Sequence, residues 1–380
     1  MAPVISCEFG PGGRPVLFRN PSALVLAHAP HEVLPALERL ERARRSGGWI
    51  AGWLSYEAGH ALEDRLRPLM HETPGPLLAF GVFDAPEADG EAPEEEVRLS
   101  PFRPLVSQAE YEAAFARVQA YIRAGDCYQV NLTFPLESRL QRGSARGLYH
   151  ALRGLQPVGF GACADLGGPV VVSRSPELFL RLDPSGRIET RPMKGTAPRH
   201  PDPARDAELA AGLAASEKNQ AENLMIVDLL RNDLGRIAEV GSVEVPALFR
   251  TERYETVWQL TSDVTARPRP DVGLLDVLRA LFPSGSVTGA PKHRTMQLIR
   301  ELEPEPRGVY CGAIGVVAPP GQAFRARFNV AIRTLTVERA TGTGVYGTGG
   351  GITWSSDPAA EHAELLAKAA ILAEPYEEFA

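Results

Sequence analysis

Four glutamates and two lysines stand at spacings that allow chemistry. In SSDPAAEHAELLAKAAIL, Glu361, Glu364 and Lys368 fall at i, i+3 and i+7, on one face of a helix. Ser356 or Asp357 can cap that helix and Pro358 can start it. Two carboxylates so placed can hold a hard divalent cation, which takes oxygen ligands. Read alone, the same stripe is a solvated face with a modest Glu364–Lys368 ion pair. Glu222 stands at the edge of the apolar run LMIVDLL, where a carboxylate is costly unless it is paired or binds metal. Salt bridges from Glu222 and Asp228 to arginines such as Arg231 meet that need equally well. Lys194 sits in RPMKGTAPR. A nucleophilic lysine must be neutral part of the time, which takes desolvation or a neighbouring cation. Met193, Gly195 and Thr196 suit a tight, partly buried turn there, although isolated loop lysines are usually solvated. Glu177 opens a strand in SRSPELFLRL and would need burial to act as a general acid. Gly349, Gly350 and Gly351 let backbone amides approach an anion, or else form a hairpin or bulge.

The elements that must position these groups read as a mixed order. A helix is expected over 31–45, stopped by Gly47-Gly48, followed by a buried strand in GGWIAGWLSYEAG. Residues 84–101, rich in Pro, Gly and Glu, carry too little apolar content to pack and read as an exposed linker. Residues 107–125 form a helix that starts on a Ser107/Glu110 capping box and stops at Gly125. Its apolar stripe is Tyr111, Phe115, Val118 and Ile122. Strands are expected over 127–140 and in PVVVSRS, LFLRLD, RIETRPM, GAIGVVA and ARFNVAIRTLTV. Helices are expected near 205–233, 273–281, 291–302 and 358–373. This order is not a βαβα repeat. It predicts an α+β fold of large, mainly antiparallel sheets with helices outside. The expected division is an N-terminal region, 1–100, and a catalytic domain, 107–375.

With 380 residues, 44% of them hydrophobic, the chain can bury a large core. Its net charge is 40 − 47 = −7, which argues against a nucleic-acid partner but not against a small anion held by a few local cations. Cys7, Cys127, Cys163 and Cys311 form no zinc-like spacing and read as buried, reduced thiols. There is no signal-peptide pattern and no apolar run of membrane-spanning length, so a soluble, cytoplasmic protein is expected.

Nine stretches appear in one order: GDCYQVNLT, SRSPELF, PMKGTAPR, AENLMIVDLLRNDLGR, FPSGSVTGAPK, YCGAIG, FNVAIRTL, GTGGGI and SDPAAEHAELLAK. In that order they resemble the chorismate-utilising enzymes, which include the large subunits of anthranilate and aminodeoxychorismate synthases and the isochorismate and salicylate synthases. The resemblance covers roughly 107–375. Before residue 100 only GWLSYEA is similar. The resemblance implies that Glu222 and Glu364, with Glu361 beside them, ligate Mg²⁺, which binds the ring carboxylate of chorismate. It implies that Arg333, Tyr310 and amides near Gly349–Gly351 hold the enolpyruvyl carboxylate, that Lys368 sits beside the metal-bound carboxylate, and that Gly195 and Thr196 contact substrate. Glu177 matches the general acid that protonates the departing C4 hydroxyl.

Two positions choose among reactions. Isochorismate- and salicylate-forming relatives use a lysine to activate water where this chain has Gln129. Anthranilate-forming relatives typically carry alanine where this chain has Lys194. The resemblance therefore implies an enzyme that turns chorismate and ammonia into 4-amino-4-deoxychorismate through a covalent Lys194 intermediate, toward para-aminobenzoate and folate. Gln259 replaces a histidine linked to aromatising elimination, which fits a reaction that stops at the amino product. Anthranilate formation is opposed by Lys194 and Gln259, isochorismate or salicylate formation by Gln129, and a silent chorismate binder by the intact acid and nucleophile. No amidotransferase or lyase module is seen, so a separate glutamine amidotransferase subunit and a separate pyridoxal-phosphate lyase are the expected partners.

Overall fold

A computed structural model describes residues 2–70, 72–90, 95–155, 157–255 and 257–369. Its framework is an 11-stranded and a 10-stranded sheet with helices packed outside, the α+β architecture expected from sequence. The strand pairings are antiparallel.

Residues before 100 contribute to both sheets. Val4–Cys7 pairs with Phe160–Asp165 in the larger sheet, and Trp49–Leu54 pairs with Ala313–Val317 in the smaller one. In Trp49–Leu54 every residue is buried, because alternate side chains serve two cores. Trp49, Ala51 and Trp53 join Ile5, Phe18 and Val171 of the larger sheet in an inter-sheet cluster. Ile50 and Leu54 face the core that receives Val33, Leu37 and Leu40 of the Pro30–Arg45 helix. Within 84–101, Glu87–Ala88 pairs with Val16–Leu17, and Arg98–Leu99 pairs with the Gln129–Arg142 strand.

The Gln108–Arg123 helix starts as its sequence dictates. Ser107 Oγ accepts from Glu110 N (3.3 Å), and the Glu110 carboxylate accepts from Ser107 N (2.8 Å). Three readings change. The segment read as one strand in ARFNVAIRTLTV is two, Ala326–Val330 in the smaller sheet and Thr334–Val337 in the larger. The chain crosses between sheets at 331–333, and Arg333 takes a left-handed φ of 49°. Helix 205–233 is two helices, Pro203–Ala215 and Glu217–Gly235, divided at Ser216, whose side chain caps the second. The Lys194 turn is a strand, Met193–Pro198, with a register shift against Val257–Ala266 and Gly195 at φ 90°. Of the last expected helix, Pro358–Ala369 is described, and 370–373 lie outside the described residues.

Candidate active site

The cavity lies where the two sheets part. The chain passes from the larger to the smaller sheet at Pro176–Glu177, between Val170–Ser175 and Leu178–Leu182, and passes back at Ala331–Arg333. Hydrogen bonds tie the two crossings: Ser175 Oγ donates to Val330 O (2.6 Å), Val330 N to Glu177 O (3.1 Å) and Arg174 N to Arg333 O (2.9 Å). Glu177 and Arg333 are thus fixed by backbone that must bend, and their side chains line a cavity of about 580 Å³. Lys194, Gly195, Thr196, Glu222, Gln259, Tyr310, Gly349, Gly350, Gly351, Glu361, Glu364 and Lys368 line the same cavity. Residues far apart in sequence are therefore brought together.

Glu177 is 4% exposed. Burial pushes its carboxyl up to about 7, against a hydrogen bond from Ser286 and the charge of Lys194, which both pull it down. Lys194 donates from Nζ to the Ser286 carbonyl (3.2 Å). Burial of the ammonium lowers its pKa from the usual lysine value; Glu177 and Glu222 oppose that shift and Lys368 adds to it. Burial therefore brings a carboxyl toward its acid form and an amine toward its free base, side by side. Ser286, which contacts both, is the residue that reading by residue type missed. It lies within FPSGSVTGAPK, in a tight Gly285–Val287 turn capped by Ser284, and no titratable group marks it.

Glu222 projects into the cavity from the Glu217–Gly235 helix, and Glu361 and Glu364 from Pro358–Ala369. Arg231 pairs with Asp228 (2.8 Å), while the cation near Glu222 is Lys218 (3.9 Å). Burial raises the Glu222 pKa, Lys194 and Lys218 oppose it, and Glu361 and Glu364 add to it, so the two acidic helices feel each other across the cavity. Burial also raises Glu364, but Lys368 (2.8 Å), Lys218 and Lys194 outweigh it and leave a net lowering. Glu361 is buried and accepts from Ser356 Oγ (2.8 Å). Among the described residues no three His, Cys, Asp or Glu side chains form a ready-made metal cage. The donor set is nevertheless carboxylate oxygen throughout, which suits a hard ion that keeps water and takes further oxygens from substrate.

The glycines form neither a hairpin nor a loop cradle. They lie within the Thr343–Ile352 strand, which runs beside Gln129–Arg142 through ten residue pairs. Close approach explains them. An ideal Cβ on Gly347 would lie 2.1 Å from the Tyr310 ring, and one on Gly351 would lie 2.3 Å from Gln129 Nε2. Lys368 Nζ donates to Gly349 O (3.1 Å), while the Gly349 partner Thr133 gives its N–H to Glu303. Gly349 thus turns its backbone polar groups toward the cavity. Gln129 is fully buried beneath this floor, off the cavity wall, and its amide has no hydrogen-bond partner among the described residues. Arg333 presents a guanidinium with no carboxylate partner among the described residues, its pKa lowered by burial and partly restored by Tyr346 and Tyr254.

The model of the chorismate binding enzymes matches residues 10–374. The chain belongs to that family. It is 49% identical over 254 residues to an aminodeoxychorismate synthase of Streptomyces griseus, covering 67% of this chain and 34% of that relative. It is 45% identical over 269 residues to aminodeoxychorismate synthase component 1 of Klebsiella aerogenes (71% and 58%). Against anthranilate synthase component 1 of Streptomyces coelicolor it is 44% identical over 265 residues (69% and 50%). The matched stretch thus spans a third to just under six-tenths of these relatives. The crystal structure of anthranilate synthase component I from Streptococcus pneumoniae superposes with a TM-score of 0.78 at 26% identity, over 98% of this chain and 90% of that one.

For this family member the glycine floor makes a direct prediction. Gly347→Ala drives a methyl group into the Tyr310 ring, so the ring or the strand must move. Such overpacking costs about 1–3 kcal/mol. Thermal unfolding should report that loss, and chorismate binding should weaken at least ~10-fold as Tyr310 leaves the wall. A Gly347→Ala protein with unaltered affinity would show that Tyr310 does not shape the binding surface of the cavity.

Proposed function

We propose that this protein aminates chorismate at C4, giving 4-amino-4-deoxychorismate. The observation that carries the reading is the Glu177–Ser286–Lys194 arrangement, a buried carboxyl near pKa 7 beside a partly buried lysine of lowered pKa. Neutral Lys194 attacks C2 of the substrate. The ring double bonds shift, and the C4 hydroxyl departs with the Glu177 proton as water. Ammonia then adds at C4, the double bonds shift back, and the Lys194 nitrogen leaves C2. The ammonium formed at C4 returns one proton to the site. The net change is chorismate plus ammonia to amino product plus water. Splitting one substitution into two covalent steps is ordinary nucleophilic catalysis.

In this reading Arg333, Tyr310 and the Gly349–Gly351 backbone hold the enolpyruvyl carboxylate, and Gly195 and Thr196 contact the ring. Glu222, Glu361 and Glu364 would hold Mg²⁺, which when bound neutralises the ring carboxylate as a Lewis acid. Lys368 keeps Glu364 and the floor in place through its bonds to both. Gln129 offers no lysine to activate water, consistent with amination rather than hydration. Ammonia would come from a glutaminase subunit, as the component 1 name of the relatives suggests, and a separate lyase would finish para-aminobenzoate. The anthranilate-forming reading is kept alive by the similarity to anthranilate synthase component 1.

Product analysis decides between them. With chorismate, Mg²⁺ and ammonium, the expected product is the C4 amine, converted to para-aminobenzoate only when a lyase is added. Chelation should abolish turnover. At fixed free ammonia the pH–rate profile should be bell-shaped, because the reaction needs Glu177 protonated and Lys194 neutral and the two fractions change in opposite directions with pH. Anthranilate as the main product would overturn the reading.

A further inference from the structure

Arg307 lies behind the cavity wall, and its guanidinium is almost wholly buried. Its Nε and one terminal nitrogen grip both Glu303 oxygens (2.7 and 2.6 Å). Two of the remaining three donors go to wall residues, Val287 O (2.7 Å) and Asn131 O (2.7 Å). Glu303 in turn accepts from Thr133 N (2.9 Å), the residue opposite Gly349. Val287 follows Ser286, whose carbonyl accepts from Lys194 and whose side chain bonds Glu177. From the other side, Glu57 accepts from Arg307 N (2.7 Å) and Gly308 N (3.1 Å), and the Tyr56 ring lies 4.5 Å under the guanidinium. Those two residues belong to GWLSYEA, the N-terminal stretch for which the site itself offered no use.

We infer that Arg307, paired with Glu303, is a positioning residue that holds the Ser286 turn in fixed register with the strand beneath the glycine floor. The inference rests on the reading of Glu177, Lys194 and Ser286 as the reacting corner. It follows from donor count. A planar five-donor fork can bond a carboxylate bidentately and still reach two carbonyls in different directions, and an ammonium with three donors on a flexible stem cannot. Loosening the fork therefore frees the turn and the strand from each other.

Arg307→Lys keeps the charge and loses the fork. The expected result is a kcat reduced about tenfold with the KM for chorismate within about threefold of wild type. The limb of the pH–rate profile set by Glu177 should move upward, because Ser286 no longer helps hold its carboxyl down. Lys194, the charged group that acts on Glu177, and the Tyr254 phenol, on which Glu177 acts, are unchanged in this variant. Glu303→Gln, which keeps an acceptor for Thr133 but breaks the ion pair, should move both readouts the same way. Carbon-13 NMR titration of the Glu177 carboxyl, assigned with Glu177→Gln, reads the same shift without turnover. An inactive wild type would therefore sink the reaction reading while leaving this inference testable. Either variant with wild-type kcat and an unmoved Glu177 titration overturns it, whatever happens to Tm. Loss of cooperative unfolding in both variants overturns it as well, because the pair is then a requirement of the fold.

Discussion

Lys194→Ala is expected to lower the rate of C4 amination by at least ~100-fold, the smaller end of what a positioned reactive group contributes. It should also admit the 2-amino isomer among the residual products. Lys194 Nζ is held at 3.2 Å from the Ser286 carbonyl, and burial lowers the pKa of its ammonium, so the amine is aimed and shifted toward its free base. In the proposed reaction, removing it deletes the nucleophile and opens the space from which ammonia could reach C2. The fold should survive. Met193–Pro198 keeps its pairing with Val257–Ala266, and loss of a partly buried cation removes a desolvation cost. The measurement is product-resolved kinetics by mass spectrometry, with Tm as the control. A variant that makes only the C4 amine at an undiminished rate would exclude the covalent role.

Arg333→Met should separate binding from stability. The guanidinium lines the cavity and meets no carboxylate among the described residues. Charge-assisted hydrogen bonds are worth about 1.5–3 kcal/mol, so losing those to a substrate carboxylate should raise the KM for chorismate ~10–100-fold. Removing a partly desolvated, unpaired cation should at the same time raise Tm by ~2 °C or more. Methionine keeps the unbranched stem, and the Arg174 N bond to the carbonyl of residue 333 is a backbone contact that the change leaves alone. A lower Tm with unchanged KM would make Arg333 a structural residue at a strained crossover. The expected opposition of affinity and stability is the signature of a site that holds a charge waiting for its partner.

Helix caps, the face shared by Glu361, Glu364 and Lys368, and the buried strand at Trp49–Leu54 were legible in the sequence. Each depends on neighbours within a few residues, and the 3.6 and 2.0 periods translate directly into faces. The family resemblance was legible as well, because the order of motifs survives in a linear chain. It named Glu177, Lys194 and Arg333 without showing what surrounds them. Residue type alone left Glu222 open between a salt bridge and a site, because its surroundings come from Pro358–Ala369, more than a hundred residues on. It could not divide ARFNVAIRTLTV, since one apolar run pairs equally well in either sheet. Only the packing of the two sheets makes the chain cross at Arg333.

Tertiary structure also decided the glycines and the supports. Gly347 and Gly351 are small because the Tyr310 ring, from a turn, and the Gln129 amide, from the neighbouring strand, already occupy the places of their side chains. Ser286 and Arg307 matter through what they touch, Lys194 on one side and the carbonyls of Val287 and Asn131 on the other. By itself the sequence determined which local elements form and which reactive groups they carry. The distances, burial and shifted proton affinities that make those groups reactive arise from long-range contacts that no local period encodes.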